Sequence, residues 1–172
     1  FLDIVKLYFY PIIYFFAYSN ILPQGIWYNG NLKGIENLTF ELNVKGIEDN
    51  AWEKSLSAFI ELRLAEHDIR FVDRQMPKLV IDISAFDSRV EETSSFLVIF
   101  SLYNYSISEK EYYQSMADTL ITKKLMTSKV FSKEILGQTS SNRLYKDLEK
   151  SINTFISSFV DQWYRDNPIK QF

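Results

Sequence analysis

A chain of 172 residues with 47% hydrophobic residues carries enough apolar material for a core of its own, and its length fits one domain. A formal charge of −3 supplies no basic face for nucleic acid, and the absence of cysteine excludes disulfides, thiolate metal sites and cysteine nucleophiles. Aromatic residues make up 16% against only five glycines and four prolines, a composition that excludes a low-complexity or disordered chain.

Residues 1–19 differ from the rest. Lys6 precedes an apolar run from Leu7 to Phe16, and Ala17 and Ser19 place small residues where a signal peptidase reads. The stretch resembles an export signal with cleavage after Ser19, and so predicts a periplasmic or secreted bacterial protein with no integral membrane span after processing. A docked N-terminal segment competes with this reading, although Pro11 would kink a helix there. A membrane anchor competes too, but the run is shorter than the roughly 18 to 20 apolar residues a spanning helix needs. No Cys follows it, so lipoprotein processing is not expected. Residues 20–37, with Pro23, Gly25, Gly30 and Gly34, have the composition of a lead-in loop. The glycines make no phosphate loop, because no Lys-Ser/Thr pair follows them.

Residues 38–44 alternate apolar and polar side chains strictly, which predicts a strand with one buried face. A turn over 46–50 leads to Asn50 and Glu53, spaced as a capping box, and a helix is expected to run to about Glu66 with Trp52, Leu56, Phe59, Ile60 and Arg63 on its apolar stripe. His67 and Asp68 end it, Asp68 in the left-handed conformation that closes a helix. Past Pro77, residues 78–86 place Leu79, Ile81, Ile83 and Ala85 on one face and Val80, Asp82, Ser84 and Phe86 on the other. Strand, helix and strand of these lengths predict parallel pairing through a crossover. A glycine fingerprint between first strand and helix is missing, so this unit reads as scaffold and not as a nucleotide site.

Residues 87–95 read as a polar loop. Residues 96–105 are apolar on both faces, which predicts a strand with neighbours on each side. Residues 106–115 read as a tyrosine-bearing hairpin connection. Thr119, Thr122, Thr127, Val130 and Phe131 favour a strand over 119–131, although Leu120, Ile121 and Leu125 also suit a helix. Residues 137–142 read as a turn. From Arg143, the positions Leu144, Leu148, Ile152, Phe155, Ile156, Phe159 and Trp163 form one helical stripe, and Asn167-Pro168 stops it. The expected architecture is α/β (α+β): a two-layer sandwich with a mixed sheet of about four strands and two main helices packed on it, in the order β-α-β-β-β-α over 38–168, with a tail at 169–172.

This element order, the run Leu64-Ala65-Glu66-His67-Asp68-Ile69 before the second strand and the closing run from Phe159 to Pro168 resemble small bacterial envelope proteins whose α/β domain is like the amino-terminal domain of TolB and the modules of CsgG and LpoB. The resemblance implies a non-catalytic binding or assembly role in the envelope with an unknown envelope protein as partner, and carries over no functional residue. Several such proteins are lipoproteins, and the missing cysteine here departs from that.

Chemistry-bearing residues are sparse. His67 is the sole histidine; beside Asp68 it has the composition of a general-base pair, but a basic side chain at a helix C-terminus also favours the dipole there. Asp82, Asp87, Glu91 and Glu92 are near enough in sequence for cation binding or acid/base work, or they form a solvated loop without ligand spacing. Lys123, Lys124, Lys129 and Lys133 make the fourth strand basic, either to meet an anionic partner or to protect an edge. Tyr103, Tyr105, Tyr112 and Tyr113, with Lys123 and Lys129, are the candidate partner contacts, since tyrosine brings large area with a polar tip, while sheet packing competes for them. The sequons at Asn37 and Asn104 touch predicted strands and are discounted. No catalytic residue, metal or cofactor is expected. The reading is a non-enzymatic module that binds a partner protein through a sheet edge or the tyrosine-bearing hairpin, with a carrier of an apolar or amphipathic ligand held between helix and sheet as the alternative and a hydrolase using the acidic residues as the least favoured.

Overall fold

The computed structural model describes residues 30–87, 92–108, 110–111 and 125–171. Strand β1 (Asn37–Lys45) lies parallel to β3 (Lys78–Asp87), from Thr39 opposite Lys78 to Lys45 opposite Ser84, so the first predicted strand-helix-strand unit pairs as its lengths require. Between them the chain forms helix α1 (Asn50–Ala65) and a two-residue strand β2 (Arg70–Phe71) that pairs parallel with the start of β1. Strand β4 (Thr93–Ser106) runs antiparallel to β3, and β5 (Met126–Ser140) antiparallel to β4, giving the sheet order β2-β1-β3-β4-β5. The mixed sheet has five strands where about four are expected; β2 is too short for any periodicity to announce it.

Helix α1 begins one residue earlier than a capping box at Asn50 predicts. Asp49 is the cap: its Oδ1 accepts from the backbone N–H of Ala51 at 3.1 Å and Trp52 at 2.9 Å, leaving Asn50 inside the helix. At the other end Asp68 takes φ 60°, its N–H donates to Ala65 and that of Ile69 to Leu64, and the buried pair Leu64 and Ile69 seals the turn. These paired bonds are the ones that absorb the last free carbonyls of a helix. Leu56, Ile60 and Leu64 form the buried line of α1, while Trp52 and Phe59 are half-buried beside it and Arg63 pairs with Glu66 at 2.6 Å. Helix α2 (Leu144–Asp166) buries all seven positions of its predicted stripe, and it stops before Asn167-Pro168 as expected.

The largest departure from expectation lies in β5. Residues 119–124 of the predicted strand lie outside the described residues and Leu125 precedes the strand; the remainder belongs to a strand that begins at Met126 and continues through 137–140, where a turn is predicted. Gly137 is the reason. It stands opposite Phe96, and the Phe96 ring occupies the space its Cβ would take, so the glycine marks a close approach inside a sheet. The turn shrinks to the 3-10 segment Ser141–Arg143. The polar loop is likewise shorter than expected, since β3 extends to Asp87 and β4 starts at Thr93. Lys110 and Glu111 are helical where a hairpin connection is expected.

Trp52 of α1 touches α2, with its Nε1 3.0 Å from Glu149 and its ring edge-on to Tyr145, so both helices share one face of the sheet. The residues beneath them are buried: Leu79, Ile81 and Ile83 of β3, then Phe96, Val98, Phe100 and Leu102 of β4. Phe100, Phe131, Phe155 and Phe159 meet ring to ring, with centroids 5.4 to 6.4 Å apart, and fill the layer between sheet and α2. A last tie closes the N-terminal turn. Asp166 accepts from the backbone N–H of Gly30 at 2.9 Å and Leu32 at 2.8 Å, and Trp163 Nε1 donates to the Ile35 carbonyl at 2.5 Å.

Candidate functional site

Strand alternation sends every second residue to the sheet face away from the helices. On that face β1 and β3 carry a polar patch. Asn43 Nδ2 donates to Glu41 Oε1 and to Asp82 Oδ1, both at 3.0 Å, and Lys78 pairs with Glu41. The Lys78 hydrogen bond first, then the Asn43 amide and the Lys78 charge, hold the Glu41 carboxyl below the usual carboxylate range, against a small opposing effect of burial. One amide thus uses both of its protons on two carboxylates.

The other sequence candidates disperse. Asp82 is opposite Ile99, and Glu92 precedes Thr93 at the start of β4, so these two carboxylates lie roughly 20 Å apart along the strand at the usual rise per residue. The Asp87 side chain and Glu91 lie outside the described residues. Among the described residues no three His, Cys, Asp or Glu side chains gather to hold a metal. His67 faces Tyr164, Nδ1 to hydroxyl 2.9 Å with the rings edge to face, and so joins the helix end to α2 instead of forming a base pair with Asp68.

Of the predicted contact residues, Tyr103, Tyr105 and Lys129 come together at one end of the helix-free face. Lys129 stands opposite Tyr103 across the β4-β5 ladder, its Nζ 5.8 Å from the ring centroid, within cation-π range. Tyr105, 46% exposed, presents its ring and places its hydroxyl 3.3 Å from Gln75. Tyr112, Tyr113, Lys123 and Lys124 lie outside the described residues. Lys133 stands opposite the buried Phe100, on the helix face, so it does not join Lys129 in one basic patch. At the far end of the helix-free face, Phe86 and Leu136 are 71% and 79% exposed beside the half-buried Leu97.

Sequence reasoning missed the flank of β1. Arg70 N–H donates to the Glu36 carbonyl and Val72 N–H to that of Leu38, so even-numbered residues of β1 turn their backbone groups outward. The chain then leaves β1 at Thr39, whose hydroxyl binds Val72 and Arg74. Beyond it, among the described residues, lies an open cleft of about 500 Å³ lined by Leu42, Asn43, Val44, Lys45, Glu53 and Asp82. Four consecutive strand residues point alternately to opposite faces, so a cleft that touches all four lies along the strand's edge. Strict alternation in 38–44 was the available signal, but it specifies the faces of a strand and not its neighbours.

No family model matches the chain, and no curated protein does. Among solved structures, a minor lipoprotein from Acinetobacter baumannii is similar over 81% of this chain and 90% of that chain, at 8% identity and a TM-score of 0.29. A likeness this distant carries no argument about the chain's role. Among the described residues no helix is long and apolar enough to cross a membrane.

Proposed function

We propose that this chain is a non-enzymatic binding or assembly module of the bacterial envelope, acting through protein-protein contacts on its sheet. The observation that carries the reading is the contrast between its polar and its contact-forming residues. Glu41, Asn43, Asp82 and His67 are engaged in internal pairs, while Tyr105 and the β1 edge present area and backbone groups to solvent. The envelope part of the proposal rests on residues 1–19, whose apolar run and small residues resemble an export signal. The carrier alternative loses support from the Phe100, Phe131, Phe155 and Phe159 cluster, which fills the space between helix and sheet where a ligand would lie.

The test is a crosslinked pull-down from bacterial envelope extract with the tagged chain, paired with sequencing of the mature N-terminus. Recovery of a specific protein partner, lowered by Tyr105→Ala, is expected, together with cleavage after Ser19. An empty pull-down with an uncleaved chain would overturn the reading.

A further inference from the structure

The two long edges of this sheet are built differently. On β5 the register slips between Leu102 and Tyr103, leaving Val130 as an extra residue, and Lys129 and Lys133 punctuate the strand on opposite faces. Bulges and charges of this kind blunt an edge against further pairing. The β1 edge has neither device: Leu42-Asn43-Val44 is regular, fully paired to β3 on its inner side, and its single lysine, Lys45, falls at the strand's end.

We infer that the open edge of β1 is a docking site for an extended peptide segment carrying alternating apolar and basic side chains, which adds to the sheet as a further strand. This rests on the reading of the chain as a protein-contact module and names the surface and the chemistry of what it binds. The backbone groups of Leu42 and Val44 point outward and supply the hydrogen bonds of strand addition. Strand addition at Leu42 to Lys45 needs a segment of about four residues at the extended rise. Its apolar side chains meet the half-buried Leu42 and Val44 on the helix side. The charge requirement comes from Asp82, which lies on the face away from the helices, where alternation sends the basic side chains of the added strand, and has no basic partner among the described residues. Asp82 lies one strand further in, roughly 10 Å from an added strand, so a lysine or arginine has the reach to meet it across Asn43. Lys45 is the one opposing charge on the cleft and marks the end at which the segment's basic side chains give way.

The test uses the whole chain with a synthetic peptide of about eight alternating valine and lysine residues, long enough to span the edge, and a valine-glutamate peptide as control. Amide hydrogen exchange is the readout. Slowed exchange at Leu42 and Val44 with the valine-lysine peptide is expected, with binding weakened about tenfold or more, some 1.4 kcal/mol, by Asp82→Asn, which keeps an acceptor oxygen for Asn43, or by the control sequence. Val44→Pro removes an outward N–H that makes no ladder bond, and should abolish the protection while the rest of the amide spectrum stays native. Should Val44→Pro unfold the chain, Asp82→Asn carries the test alone. Equal binding of both peptides would overturn the charge assignment. Protection along β5 or at the Tyr103 end would overturn the edge assignment and leave the module reading standing, whereas protection nowhere would count against both. Exchange that slows with protein concentration alone would make a second copy the occupant and overturn the inference.

Discussion

Asp166 is the residue whose replacement most directly tests how the N-terminal turn is held. It is the last residue of α2, where the helix dipole disfavours an anion, yet it is buried to 8% exposure. Two backbone N–H groups, of Gly30 at 2.9 Å and Leu32 at 2.8 Å, and the Gln162 side chain at 3.0 Å donate to its side chain. A hydrogen bond to a charged group contributes about 1.5 to 3 kcal/mol. Asp166→Ala removes both backbone bonds and strands a buried Leu32 N–H, while relieving the dipole by about 0.3 to 1 kcal/mol, so a net loss of roughly 3 to 5 kcal/mol is expected. Asp166→Asn keeps one acceptor oxygen, and its loss should be about half of that. Equilibrium urea denaturation followed by circular dichroism reads both, as a lowered midpoint at unchanged slope. Trp163 fluorescence adds a local reading, since its indole donates to Ile35 in the same turn. A loss below about 0.5 kcal/mol for Asp166→Ala, the range of ordinary surface changes, or an Asn variant as damaging as the Ala variant, would refute the account.

Three further outcomes are expected. Gly137→Ala should destabilise by about 1 to 3 kcal/mol because the new Cβ meets the Phe96 ring, and Phe96→Leu in the same chain should recover part of that loss in a double-mutant cycle. Lys78→Gln should raise the Glu41 titration toward the ordinary carboxylate range by side-chain carbonyl NMR. Because the folded-state value of Glu41 is depressed, its contribution is present above the unfolded value and is lost as pH falls through the folded one; the stability gap between wild type and Lys78→Gln should therefore close on acidification. Tyr105→Ala should leave the unfolding midpoint within about 0.5 kcal/mol of wild type, as expected of an exposed side chain, while weakening partner recovery; an equal loss of stability would make Tyr105 a packing residue.

The local periods of this chain are legible without the structure. Seven spaced apolar residues on α2 are all buried, the four inward positions of β3 are all core, and Asp68 closes α1 in the left-handed conformation. Each of these follows from side-chain geometry within one element: a helix turns every 3.6 residues and a strand every two, so burial of one face imprints a period on the sequence. The candidate contact surface is partly legible on the same ground, since Tyr103 and Tyr105 are two apart on a strand and must share a face.

What neighbours what is a different matter. Gly137 reads as a turn until Phe96, 41 positions earlier in the chain by their numbering, is placed opposite it. Asp82 and Glu92 look adjacent until β3 and β4 separate them along the strand, and Leu42 and Val44 look like ordinary core until the brevity of β2 leaves their outer edge open. These facts depend on lateral order in the sheet, which is set by long-range pairing between segments whose own patterns are alike. Local period therefore decides which side of an element is buried, and only the assembled sheet decides which edge is left to bind.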